Sequence, residues 1–126
     1  MPAFRGLMSG DSLKLGHFDD SPAVLEFVSS RNLRPLAALG TSCPDHFLRT
    51  KIKPLYVEWD PASGKLDELK KKLEKGLESY RKDYLAYYDK CRHADSPAVR
   101  DANPTVMIIP GLGLIARSLV ARPGPQ

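Results

Sequence analysis

Residues 65–90, KLDELKKKLEKGLESYRKDYLAYYDK, and residues 105–116, TVMIIPGLGLIA, decide the fold. In the first stretch Leu66, Leu69, Leu73, Leu77, Tyr80, Tyr84 and Tyr87 recur at intervals of three and four, which gathers them on one face of an α-helix of about six turns. The opposite face carries Glu68, Lys72, Glu74, Glu78 and Lys82, mostly of mixed sign, with Lys70–Lys72 as its one run of like charge, and reads as a solvated surface. Gly76 inside the helix costs up to about 1 kcal/mol relative to alanine and marks a place of close packing. The tyrosines, at helical spacing, read as core and rim packing rather than as a platform for bases.

In the second stretch Thr105–Ile109 is apolar and rich in β-branched residues, the pattern of a strand buried on both faces. Pro110–Gly113 turns it into a second strand over Leu114–Ala116. Upstream of the helix, Pro54–Trp59 reads as a strand closed by the turn Asp60–Gly64. Strand, long helix, buried strand is the order of a crossover unit.

Working outward, residues 13–18 alternate in a short strand signal. Ser21 as N-cap and Pro22 at the first helical position open a helix near 22–31 with Val24, Leu25, Phe27 and Val28 on one face. Leu33–Leu39 forms another, stopped by Gly40. Ser42 or Cys43 caps a third, near 44–50, that begins at Pro44. Residues 91–104 are polar and turn-rich, a surface loop. The fold class is therefore α/β: a single small domain, a mixed sheet with one long amphipathic helix (about 65–90) and short helices near 22–31 and 44–50.

Composition agrees. The chain has 126 residues, 42% hydrophobic and 27% charged, which suits one globular core, and its 11 prolines and 9 glycines exceed what a plain helical bundle tolerates. Nineteen Lys and Arg against 15 Asp and Glu give a net charge of +4, too mild for a nucleic-acid module, so no nucleic acid is expected as a partner. The longest stretch free of charged or strongly polar residues, 105–116, is broken by Pro110, Gly111 and Gly113 and is short of the roughly 20 residues that span a bilayer, so no membrane partner is expected. The N-terminal residues lack a secretory pattern, which makes the cytoplasm the expected location and Cys43 and Cys91 reduced thiols.

The densest group of chemically useful side chains is Ser42, Cys43, Asp45, His46, Arg49 and Lys51. On a helix beginning at Pro44, His46 and Arg49 share a face, and Asp45 pairs with Arg49. A nucleophilic Cys43 would need His46 as its base and a helix N-terminus as oxyanion site. The plainer reading is a capping segment with a structural histidine. If the cluster binds anything, an anion or substrate phosphate suits Arg49, Lys51 and His46 better than a metal does.

A zinc site from Cys43-x-x-His46 and Cys91-x-His93 is disfavoured by the tight second spacing and by the long helix between the pairs. His17 reads as a structural histidine. Pro110-Gly111-Leu112-Gly113 lacks the third glycine, the following helix and the acidic residue of a dinucleotide fingerprint. The lysines fall mainly on the solvated helix face, so a desolvated Schiff-base lysine is not expected.

Three segments carry a resemblance: residues 18–30, FDDSPAVLEFVSS; residues 39–61, LGTSCPDHFLRTKIKPLYVEWDP; and residues 103–116, NPTVMIIPGLGLIA. Over residues 4–116 the chain resembles the middle of the bacterial bifunctional rhamnulose-1-phosphate aldolase/short-chain dehydrogenase family. In that family a class II aldolase region comes first, a segment like this one follows, and a dehydrogenase region comes last. The resemblance implies a parent enzyme of rhamnose catabolism that cleaves rhamnulose 1-phosphate with a His-bound divalent metal and oxidises lactaldehyde with NAD.

This chain carries neither engine: the aldolase needs a His-x-His pair, and His17, His46 and His93 are never two apart. Leu112 stands where the family's His-Gly-Leu turn would put a histidine. The expectations are thus a structural segment over 1–116, a degenerate second copy of the aldolase half-fold that bridges the two regions. No cofactor is expected in this chain, although the parent uses a divalent metal and NAD. The expected partners are the aldolase and dehydrogenase regions, or a second copy. A stand-alone binding or oligomerisation module is the alternative. RSLVARPGPQ, residues 117–126, departs from the family and reads as a disordered or truncated tail.

Overall fold

The computed structural model describes residues 2–9 and 14–119. In chain order the elements are α1 (Pro2–Ser9), β1 (Lys14–Asp19), α2 (Pro22–Val28), α3 (Leu33–Leu39), α4 (Pro44–Thr50), β2 (Leu55–Tyr56), a 3-10 turn (Pro61–Ser63), α5 (Leu66–Cys91), β3 (Val106–Ile109) and β4 (Gly113–Leu119). The strands form one mixed sheet in the order β1-β4-β3-β2. β2 and β3 are parallel neighbours, Leu55 opposite Met107, with α5 as the crossover between them. β3 and β4 form an antiparallel hairpin, and β1 pairs antiparallel with the far side of β4.

The apolar run of β3 is explained by cover on both faces. Met107 and Ile109 point to one side, into a core with Leu69, Leu73 and Leu77 of α5, Met8 of α1, and Leu55, Val57 and Trp59. Ile108 points to the other, against Val28 of α2 and Leu33 and Ala37 of α3. A strand with two buried faces has no position at which a polar side chain reaches water. Gly76 lets α5 approach β2: a Cβ there would meet Leu55 Cδ1 at 3.3 Å. Gly40 ends α3 at φ +80, where a Cβ would lie 2.1 Å from the Ile52 carbonyl oxygen, and so admits the chain leaving α4.

Several boundaries differ from expectation. Leu66, expected on the buried stripe, is 71% exposed. The stripe begins at Leu69, and the end of the core is closed by Trp59, whose Nε1 donates to the Lys65 carbonyl. The strand expected over Pro54–Trp59 keeps ladder geometry for two residues, because β2 has one neighbour and the chain turns away after Val57 donates to the Ile108 carbonyl. α2 ends at Val28, where Ser29 closes the last turn. α1 is an element that the sequence does not announce, although Phe4, Leu7 and Met8 have helical spacing and pack on the core.

β4 runs to Leu119 rather than to Ala116, so the first three residues of the expected tail are sheet. Its remaining part, residues 120–126, lies outside the described residues. Among the described residues no helix is long and apolar enough to cross a membrane.

Candidate functional site

The six residues singled out in the sequence do not assemble into one site. Cys43 is the N-cap of α4 without a side-chain capping bond, and no residue of α4 is buried. Ser42, Asp45, His46 and Arg49 are exposed, and Cys43, half-buried, is a free thiol. Lys51 alone turns inward. It closes α4 with a left-handed backbone, φ 67, uncommon for a residue with a Cβ. Its Nζ donates to the main-chain carbonyls of Asp101 and Asn103, each at 2.5 Å, and sits 4.1 Å from the Tyr84 ring centroid.

The partners of Lys51 lie at the end of the loop expected to be surface. That loop is exposed as far as Arg100 apart from Ser96, but Asp101–Asn103 are half-buried and Pro104 fully buried. Asp101 Oδ1 accepts from the Asn103 N–H at 2.9 Å, which folds the segment into a tight turn. Asp101 Oδ2 accepts from Arg117 Nη1 at 2.7 Å and lies 3.6 Å from Lys14 Nζ. Arg117 also donates from Nε to the Pro104 carbonyl and from Nη2 to the Asn103 carbonyl at 2.7 Å. Arg81 of α5 donates to Asn103 Oδ1 at 2.5 Å and to the Leu7 carbonyl at 2.9 Å. One turn is thereby tied to α1, β1, α5, β4 and the link after α4.

Burial works to raise the Asp101 carboxyl. It is outweighed by the hydrogen bonds from Arg117 and the Asn103 N–H and by the charges of Arg117 and Lys51, which together take it down to about 2. Burial pushes the Lys51 amine down to about 8, helped by Arg117 and Lys14 and opposed by Asp101. A desolvated lysine was not expected, and two, Lys14 and Lys51, are drawn in from outside the solvated helix face. Asp101 at this value holds no proton to exchange near neutrality. Lys51, with two donors on carbonyl oxygens and an aromatic face above, has the geometry of a mounted cation rather than of an open nucleophile.

Beside this knot a cleft of about 720 Å³ runs between α4, the tyrosine end of α5 and residues 97–101. Arg49, Lys51, Tyr84, Tyr87 and Arg100 line it, so two of the six predicted residues face it together. His17, His46 and His93 lie on β1, on α4 and in the loop after α5, and all three are exposed. Among the described residues no three His, Cys, Asp or Glu side chains come together so as to hold a metal ion. The Pro110–Leu112 turn, with Gly111 at φ 68, joins two strands and opens no helix, so it does not fit a dinucleotide phosphate.

Sequence reasoning missed Lys14, Arg81, Asp101, Asn103 and Arg117. Two signals were present: the Asp-x-Asn-Pro turn at 101–104, and the alternation that puts Arg117 on the same face of β4 as Ile115.

Fold and site together define a small mixed α/β domain whose central charged residues tie its elements to one another. The family described as "Aldolase class II, second domain" matches residues 1–120, and the chain belongs to it. Over 115 residues it is 34% identical to an uncharacterized oxidoreductase, YuxG, of Bacillus subtilis (strain 168), covering 91% of this chain and 16% of that protein. The chain thus spans about a sixth of the length of the curated relative that it matches. No solved structure matches it.

Proposed function

We propose that this chain is a structural domain of a longer polypeptide that joins a class II aldolase to a short-chain dehydrogenase, the pair cleaving rhamnulose 1-phosphate and oxidising lactaldehyde. The domain does no chemistry of its own. The observation that carries this reading is the placement of the three histidines on separate elements, all facing solvent. Class II retro-aldol chemistry needs several ligands converging on one divalent metal with a position left open. The metal and NAD belong to the other regions of the polypeptide, which are cytoplasmic with it. Membership in a second-domain family and likeness to a short part of a protein named an oxidoreductase support the reading. Leu39 and Leu48, 79% and 80% exposed at neighbouring ends of α3 and α4, give those regions a surface on which to pack.

The test is a coupled assay of the purified chain, supplied with divalent metals and NAD, for dihydroxyacetone phosphate release and for NAD reduction with lactaldehyde. No turnover above a mock purification is expected. Turnover that disappears in His46→Ala would overturn the reading and make the Cys43–His46 segment an active site.

A further inference from the structure

The cleft between α4 and the far end of α5 has walls that are already fixed. The Tyr88 hydroxyl donates to the Pro97 carbonyl, and Lys51 holds the carbonyls of Asp101 and Asn103, so the loop after α5 stands as a second wall opposite α4. Four of the ten large apolar side chains exposed among the described residues, Phe47, Leu48, Tyr87 and Val99, line this one cleft. Single exposed apolar side chains are ordinary, but a group of them around one concavity marks a surface that packs against something. The charges that face outward there have one sign. Arg49 and Arg100 are exposed, one on each wall, and among the described residues neither is in an ion pair; the pair expected between Asp45 and Arg49 does not form. The one acidic side chain in the lining, Asp101, is turned to Arg117 and the Asn103 N–H. Tyrosine and arginine around an apolar centre are the composition of surfaces that bind other polypeptides.

We propose that this cleft seats an acidic segment with an aromatic or aliphatic anchor, contributed by the part of the longer polypeptide that lies outside these residues. The anchor packs between Phe47 and Tyr87, and carboxylates on either side of it meet the guanidinium forks of Arg49 and Arg100. A basic segment would face two arginines with no free carboxylate beside them. A small inorganic anion would leave the apolar side chains in water. A nucleic acid would find no continuing basic track, because the run Lys70–Lys72 lies near the other end of α5. The cleft also continues the surface of Leu48, one of the two side chains assigned above to packing against neighbouring regions. The matching stretch is 16% of the Bacillus subtilis relative, so most of such a polypeptide lies elsewhere and needs faces to rest on. Assigning the segment to the same polypeptide rests on the function proposed above; the chemistry of the cleft does not.

The test uses three short synthetic peptides of equal length: one of Glu and Asp around a central Phe, one with Lys in place of every acid, and one with Ala in place of the Phe. Backbone amide shifts of the full chain are followed on titration with each. The first should saturate at a dissociation constant of about 0.1 to 1 mM, with shifts confined to α4, residues 84–88 and residues 97–101, and the other two should bind at least about tenfold more weakly. Salt should weaken it, and Arg100→Ala, at an exposed position, should weaken it by about fivefold. Absence of saturation by about 5 mM, equal binding of the Lys peptide, shifts elsewhere, or unchanged affinity in Arg100→Ala would each overturn the chemistry. In the longer polypeptide the resident segment should exclude the acidic peptide; binding there as tight as to this chain would overturn the source. A concentration-dependent dimer of this chain that Arg100→Ala abolishes would overturn it too, in favour of a second copy. None of these readouts depends on turnover, which alone decides the function proposed above.

Discussion

The apolar seam between α5 and the sheet and the polar knot around Asp101 hold one four-stranded sheet in place by opposite means. In the seam, Leu69, Leu73 and Leu77 lie against Leu55, Met107 and Ile109, and the attraction is non-directional and shared among many side chains. In the knot, Lys51, Arg81 and Arg117 each donate two or three directional hydrogen bonds, and the carboxylate of Asp101 serves Lys14 and Arg117 at once. A truncation in the seam therefore costs the contacts that it removes. A change in the knot also strands the groups left behind, because a buried charge without its partner keeps its desolvation cost.

The largest expected effect is in the seam. Leu73→Ala, at a side chain 1% exposed, should lower unfolding free energy by about 2 to 5 kcal/mol in chemical denaturation. A loss below about 0.5 kcal/mol would mean that α5 projects freely and forms no seam with the sheet.

Next comes the knot's anion. Asp101→Asn should cost about 2 to 3 kcal/mol at neutral pH, since two buried cations lose their counter-charge. The effect has a pH signature. In the folded protein the Asp101 carboxyl is held down to about 2, below its ordinary 3.8, so its contribution is complete above that ordinary value and is lost as pH falls toward 2. The wild type should thus lose its advantage over Asp101→Asn between about pH 4 and pH 2. A difference that stays constant through that range would remove the carboxylate from the account.

Lys51→Met sharpens the same point from the alkaline side. Burial pushes the folded amine down to about 8 from its ordinary 10.5, so the unfolded chain binds more protons between them and wild-type stability rises with pH in that window. Between pH 8 and 10, below the range where the raised Tyr80 hydroxyl acts against it, the variant should lack this rise. At pH 7 it should be less stable by about 1 kcal/mol. An identical alkaline slope in both proteins would show the amine to be solvated.

The smallest effect is predicted at the point where α5 meets β2. Gly76→Ala gains up to about 1 kcal/mol of helix propensity but places a Cβ 3.3 Å from the flexible tip of Leu55, and the net change should stay within about 0.5 kcal/mol. A loss above about 1 kcal/mol would show a seam too rigid to yield a few tenths of an ångström.

The two regions also differ in how far they could be read in advance. α5, β3 and the crossover order were legible because periodicity repeats one physical fact many times: seven residues at threes and fours, or a run of five apolar ones. The knot has no period. Lys14, Lys51, Arg81, Asp101 and Arg117 come from different elements, and each looks like an ordinary surface charge beside its own neighbours in sequence. RSLVARPGPQ shows no pattern and so reads as a tail, yet pairing with Gly16 of β1 puts Arg117 in the sheet. Lys51 entered the candidate site for its charge beside His46 and Arg49. Its position there depends on a left-handed residue at the end of α4 and on carbonyls some fifty residues away, which no local rule reveals.

The central claim, that the charged cluster around Asp101 is architecture, is tested most directly by a double-mutant cycle. Asp101→Asn, Arg117→Met and the double variant are compared with the wild type by chemical denaturation at pH 7. The Nη1 to Oδ2 contact of 2.7 Å at largely buried groups predicts a coupling energy of about 1 to 3 kcal/mol. Effects that add to within about 0.3 kcal/mol would contradict it, and would leave the pair as two independent surface charges.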